Sequence, residues 1–205
     1  MRRVHAAPRN NALQKTTGLL RIIGGEWRGR KIRFPGVEGL RPTPDRVRET
    51  LFNWLAPVIA GSRCLDLFAG SGALGLEALS RGAAAVTFVE SQRDAAQQLS
   101  ETATILARGR ATVHQADVAA WLAGPAAPFD IVFVDPPYGS GLLADAMHAL
   151  ESRGWLAPQA FIYLEAPAKA GAPVTPESWK LHRSGRAGAV GYHLARRMAA
   201  GGGPT

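Results

Sequence analysis

The stretch from Cys64 to Arg81, CLDLFAGSGALGLEALSR, constrains the fold more tightly than any other part of the chain. An apolar run, Cys64 to Phe68, is interrupted only by Asp66 and leads into Gly70, Gly72 and Gly75, a G-x-G-x-x-G spacing. Helical periodicity follows, with Leu74, Ala78 and Leu79 on one face and Gly82 as its C-terminal stop. Strand, glycine turn and helix in this order bring backbone N–H groups up to a ligand at a helix N-terminus. Tight turns use glycine for steric reasons alone, so the spacing gains weight only from its surroundings. Glu90 closes the next strand-like run, Val86 to Val89, twenty residues after Gly70, where an acid that holds a ribose is expected. Asp135-Pro136-Pro137-Tyr138 ends a later apolar strand, Phe129 to Val134. Together these features point to one site.

The chain goes on alternating strand and helix patterns. Gln92 to Arg108 carries an apolar stripe at Ala95, Leu99, Ala103 and Leu106, and Ala111 to Ala116 reads as a strand running into Asp117. A helical piece over Val118–Leu122 precedes the Phe129–Val134 strand; a helix over Leu142–Arg153 and a strand over Ala160–Glu165 follow it. Repeated β-α units predict a parallel sheet covered on both faces. Trp179–Arg183 and Val190–Arg197 flank a glycine-rich turn and read as an antiparallel hairpin at the sheet edge. Upstream, Thr43 is placed to N-cap a helix, with Pro44 in its first position and Asp45 complementing its dipole. Val47, Leu51, Trp54, Leu55 and Val58 share the apolar face of that helix, while Arg46, Arg48 and Glu49 take its other faces.

A chain of 205 residues holds one core plus a small appendage, and no apolar run approaches the roughly 18 residues of a membrane span. Arg2 and Arg3 are not followed by the apolar stretch of a secretory signal. Cys64, the only cysteine, lies inside a strand and reads as an inert core thiol, which fits a reducing, cytoplasmic setting. The histidines are scattered without ligand spacing, so no metal site is expected. Charge is distributed unevenly. Residues 1–50 hold 12 Lys and Arg against 4 Asp and Glu, whereas the rest of the chain is balanced at 12 of each. That asymmetry suggests a polyanion-binding arm on a neutral body.

Within the arm, Leu19–Ile23 and Arg30–Phe34 flank Gly24, Gly25 and Gly29 and predict a β-hairpin. Arg21, Arg28, Arg30, Lys31 and Arg33 can neutralise phosphates, and Trp27 either stacks on an unpaired base or plugs the hairpin onto the main domain. Arg41 and Arg46 extend the basic set toward the following helix. The expected organisation is a disordered basic tail over 1–18, a hairpin over 19–40, the main domain over 41–197 and a loose tail over 198–205.

In such a sheet the strand C-termini gather on one edge, where ligands bind. Asp66, Glu90, Asp117 and Asp135 lie at or near four successive strand ends. Glu90 would take two ribose hydroxyls, Asp117 with Val118 beside it an adenine, and Asp66 a cationic amino group near the loop Phe68-Ala69-Gly70-Ser71-Gly72. So acidic a pocket suits S-adenosylmethionine better than a dinucleotide with its pyrophosphate. Asp135-Pro136-Pro137-Tyr138 suits methylation of a base amine, whose lone pair is delocalised into the ring. The Asp135 carboxylate and the Pro136 carbonyl could bind both amine hydrogens and turn the lone pair toward a methyl donor. Pro137 holds the turn rigid, and Tyr138 could stack on a flipped base. Read alone, the tetrapeptide is equally an ordinary strand-ending turn.

The order of motifs resembles the class I methyltransferases that act on amino groups. RIIGGEWRGRKI, GLRPTPDRVRETLFNWL, CLDLFAGSGALGLEALSRGA and FDIVFVDPPY are, more closely, similar to the bacterial RsmD family over about Leu20 to Arg197. The resemblance implies a Rossmann-like α/β fold, its seven-stranded sheet mostly parallel with one antiparallel edge strand, plus the small N-terminal hairpin. It further implies an enzyme that uses S-adenosylmethionine to methylate N2 of guanine 966 in 16S ribosomal RNA. So small a chain has little surface to encode an RNA target, which points to the 30S subunit or its precursor as substrate, and nothing in the sequence demands more than a monomer. Cofactor roles would then fall to the Asp66–Gly72 loop, Glu90 and Asp117, the catalytic role to Asp135–Tyr138, and the RNA-facing role to the hairpin. Competing expectations are a DNA amino-methyltransferase, a non-catalytic RNA-binding assembly factor and, last, a dehydrogenase with the same glycine spacing.

Overall fold

The computed structural model describes residues 17–35 and 43–198. Two strands, β1 (Thr17–Arg21) and β2 (Lys31–Pro35), pair antiparallel as the N-terminal hairpin. Helix α1 (Asp45–Leu55) leads into the alternating body, β3 (Arg63–Asp66), α2 (Ala73–Ser80), β4 (Ala85–Glu90), α3 (Arg93–Ala107) and β5 (Ala111–Gln115). Then come α4 (Val118–Leu122), β6 (Phe129–Val134), α5 (Leu142–Ser152), β7 (Leu156–Pro167), β8 (Trp179–Ala187) and β9 (Val190–Arg197). The seven-stranded sheet has the order β5-β4-β3-β6-β7-β9-β8. From β5 to β7 all neighbours are parallel, whereas β9 runs antiparallel to both β7 and β8. The single antiparallel strand expected at the edge therefore lies one place in, and β8 takes the edge. No helix among the described residues is long and apolar enough to cross a membrane.

Strand alternation divides the core in two. Cys64, Phe88, Ile131, Phe133 and Tyr163 face α1, α2, α3 and the hairpin, while their neighbours Leu65, Val89, Val132, Val134 and Leu164 face α4 and α5. The period of two along strands buried on both sides produces the near-continuous apolar runs read in the sequence. On the first face Phe52 meets Phe133 at 6.0 Å between ring centroids, and Trp54 stacks on Tyr192 at 5.5 Å.

The hairpin is part of this core. Leu20, Ile22, Trp27, Ile32 and Phe34 are buried in the same cluster as α1 and α2. Thr17 and Gly18, expected in the basic tail, pair with Pro35 and Phe34. Residues 1–16, 36–42 and 199–205, which hold most of both expected tails and the end of the expected hairpin, lie outside the described residues. The hairpin covers α2, all eight residues of which are buried. Glu77 on α2 accepts from the N–H groups of Ile23 and Gly24, each at 2.8 Å, and Ser80 accepts from the Trp27 and Glu26 N–H groups through Oγ and its carbonyl. Gly25 (φ 77°) passes so near that a Cβ there would stand 1.8 Å from the Ser80 carbonyl oxygen. No other residue fits.

Arg48 overturns its sequence assignment. Expected on an outer face of α1, it is fully buried and donates to the carbonyls of Thr43 and Arg21 at 3.2 and 2.9 Å. Its guanidinium also meets Asp45 at 2.6 Å and Glu77 at 3.5 Å. One side chain thus ties the hairpin, the start of α1 and α2 together. Thr43, expected as a side-chain N-cap, forms no cap bond; Pro44 occupies that position.

Candidate active site

A cavity of about 770 Å³ opens at the C-terminal ends of β3, β4, β6 and β7, where strand order reverses between β3 and β6. Asp66, Phe68, Ala69, Gly70, Ser71, Glu90, Asp117, Val118 and the whole of Asp135–Tyr138 line it. Gly72 is not in the wall. It starts α2 at φ 76°, with Leu99 behind it. Gly75 lets α2 lie close on the sheet, since a Cβ there would come within 2.2 Å of the Phe88 ring.

Three of the acids on this edge also hold backbone. Glu90 accepts from the Gly70 N–H and, through its other oxygen, from the Gln92 N–H, both at 2.7 Å, so it shapes the glycine loop. Asp117 caps α4 by accepting from the Ala120 N–H at 3.0 Å. Asp66 accepts from the Gly75 N–H at 3.0 Å. Burial, opposed by that bond and reinforced by the Glu90 charge, pushes its carboxyl up to about 7. One N–H in the first turn of α2 is thus already taken by a carboxylate, which leaves this helix end poorly suited to a pyrophosphate. Further carboxylates nearby fit a ligand that is cationic and bears a ribose.

Asp135 follows β6 and Glu165 lies near the end of the neighbouring β7, one residue beyond the paired Val134 and Leu164. Glu165 is 3% exposed. Its Oε1 accepts from the Thr43 hydroxyl at 2.9 Å and the Tyr163 hydroxyl at 2.7 Å. Burial, with the Glu165 charge next, holds the Asp135 carboxyl well above the usual carboxylate range, and burial raises Glu165 as well. A charge on Glu165 thus opposes a second charge on the neighbouring Asp135. Tyr138 stands half exposed at the mouth, its phenol pushed up to about 12 by burial and then by the charges of Glu165 and Asp135. Thr43, Tyr163 and Glu165 are absent from the set read in the sequence. Glu165 carried the same signal as Asp66 and Glu90, an acid ending an apolar strand; nothing local marked the other two.

Of the basic residues expected to face RNA, Arg21, Arg28, Arg30, Lys31, Arg33 and Arg46 are exposed. Arg21 reaches Asp45 at 3.4 Å. Arg41 lies outside the described residues. Trp27 does not stack outward: it is 7% exposed, packed in the core with the Arg110 guanidinium 5.6 Å from its ring centroid. It plugs the hairpin onto the body.

Comparison with known proteins adds independent evidence. A family model described as conserved hypothetical protein 95 matches residues 20–196. Ribosomal RNA small subunit methyltransferase D of Escherichia coli K12 is 54% identical over 185 residues, covering 90% of this chain and 93% of that protein. The protein of the same name from Haemophilus influenzae is 46% identical, covering 86% and 93%. Among solved structures, an Escherichia coli protein described as a candidate methyltransferase superposes with a TM-score of 0.84 at 51% identity, covering 89% of this chain and all of that one. A Thermus thermophilus 16S rRNA N2 G1207 methyltransferase, solved with AdoMet and guanosine, shares the fold at a TM-score of 0.62 and 21% identity, covering 90% of this chain and 50% of that one.

Proposed function

Since the chain belongs to the conserved hypothetical protein 95 family, that of the ribosomal RNA small subunit methyltransferase D proteins, we propose that it methylates the exocyclic N2 of a guanine in 16S ribosomal RNA. The observation that carries the reading is the position of Asp135 in one cavity with Asp66, Glu90 and the glycine loop. Amine acceptor and donor site stand side by side there.

S-adenosylmethionine, when bound, supplies an electrophilic methyl on a sulfonium. Glu90 would hold its ribose hydroxyls with lone pairs left over from the Gly70 and Gln92 bonds, Asp117 and Val118 would border its adenine, and Asp66 would balance its positive charge. Asp135 accepts one hydrogen of the target amine and the Pro136 carbonyl the other, which draws the nitrogen toward tetrahedral geometry and aims its lone pair. The proton lost from nitrogen passes to the Asp135–Glu165 pair and on to water. Tyr138, exposed at the mouth, stacks on the base once it leaves its neighbours. The hairpin arginines and lysine hold the RNA backbone. Recognition of a 30S particle or its precursor by a monomer suits so small a basic surface, and such a substrate places the enzyme in the cytoplasm.

The test is transfer of labelled methyl from S-adenosylmethionine to 30S particles that lack the modification, followed by nucleoside mapping. Label in N2-methylguanosine at guanine 966 is the expected result. Label in another base, or in duplex DNA alone, would overturn the reading.

A further inference from the structure

We infer that Glu165 reads the target base, its carboxylate accepting the ring N1–H of guanine while Asp135 accepts a hydrogen of the adjacent N2 amine. The inference rests on the amine-methylating reading above and adds a basis for choosing among bases. Guanine presents N1–H beside N2–H₂, an unbroken row of donors. Adenine and cytosine present their amines beside an unprotonated ring nitrogen, which is an acceptor. Two adjacent carboxyls match the first edge and repel the second.

The position of Glu165 supports this role. It lines the cavity with Asp135 although it is almost wholly buried, each of the two lying one residue beyond the last β6–β7 pair, Val134 and Leu164. None of the ion pairs among the described residues includes it, so a cationic partner does not account for its burial. Both hydroxyl bonds, from Thr43 and Tyr163, fall on Oε1, and Oε2 carries neither. Anchoring Thr43 needs only a neutral acceptor, whereas a second buried carboxyl against Asp135 raises the cost of the empty site. In that site a shared proton relieves the repulsion. The donor row of guanine gives the same relief with both carboxyls ionised.

The experiment compares 30S particles reconstituted with guanine or 2-aminopurine at the methylated position. 2-Aminopurine keeps the amine but has an acceptor at N1. The wild-type protein should favour guanine by at least about 100-fold in kcat/KM, because the analogue leaves a buried acceptor facing an acceptor. Glu165→Gln should narrow that ratio by about tenfold or more. Thr43 and Tyr163 keep the amide oxygen at the Oε1 place, so its NH₂ donates to N1 of 2-aminopurine and opposes N1–H of guanine. Unchanged affinity of the variant for S-adenosylmethionine shows that it is folded; should it not fold, the wild-type ratio decides alone. Equal use of both bases by the wild type, or a proportional loss on both in the variant, would overturn the role of Glu165 and leave the methyltransferase reading standing. No transfer to guanine by the wild type would remove both.

Discussion

Asp66 carries a charge cost that binding can relieve. Its rise from 3.8 to about 7 in the ligand-free protein corresponds to about 4 kcal/mol at 1.36 kcal/mol per pH unit. A carboxyl raised on folding stabilises the folded state below its unfolded value and loses that contribution as pH rises toward 7. Asp66→Asn, which keeps an acceptor for the Gly75 N–H, should therefore raise the melting temperature relative to wild type more at pH 8 than at pH 5. Affinity of the wild type for S-adenosylmethionine should climb between pH 5 and 7 and then level off, while in Asp66→Asn the Asp66-dependent part of that climb disappears; calorimetric titration measures both. Asp135→Ala should lower methyl transfer by about 100- to 1000-fold and leave affinity for S-adenosylmethionine within about threefold, measured by single-turnover transfer beside direct binding. A large loss of cofactor binding would contradict the division of roles. At this scale the strand-end acids were legible because each closes an apolar run. The hydroxyls that hold Glu165 were not, since Thr43 precedes it by 122 residues and only the folded chain brings them together.

Among the elements, α2 and α1 were legible as helices but only partly as surfaces. Periodicity gave α2 one apolar face, yet the chain buries it on every side, because its cover is a hairpin formed some fifty residues earlier. Glu77, fully buried, is answered there by two backbone N–H groups and by Arg81 at 2.7 Å. Arg48 falls on an outer face of α1 in the sequence pattern for a related reason: a helical wheel shows where a side chain points and not what later lies over it. Arg48→Ala should cost about 3–5 kcal/mol in denaturant unfolding, since two carbonyls and two carboxylates lose a buried donor. Arg48→Lys should recover little of this, as one ammonium does not span the positions that the guanidinium fork reaches. Near-wild-type stability of the alanine variant would show that the hairpin docks without it.

At the scale of the whole molecule, charge and chemistry occupy different parts of the chain. The positive excess lies in the first fifty residues, while the cavity acids lie in the balanced remainder. Neutralising Arg28, Arg30 and Lys31 together should weaken binding to 16S ribosomal RNA and lower the slope of log affinity against log salt by about 2 to 3. Cofactor binding should not change. An unaltered salt slope would remove the hairpin from the RNA interface. The order of the sheet has one more consequence, for how the protein is made. Among the described residues the last strand, β9, is the only sheet partner of β8 and fills the place between it and β7. While a nascent chain still has residues 190–197 inside the ribosome, β7 remains an open edge and β8 has nothing to pair with. Completion of the sheet must wait until residues 190–197 have emerged, well after the acids that line the cavity have been made.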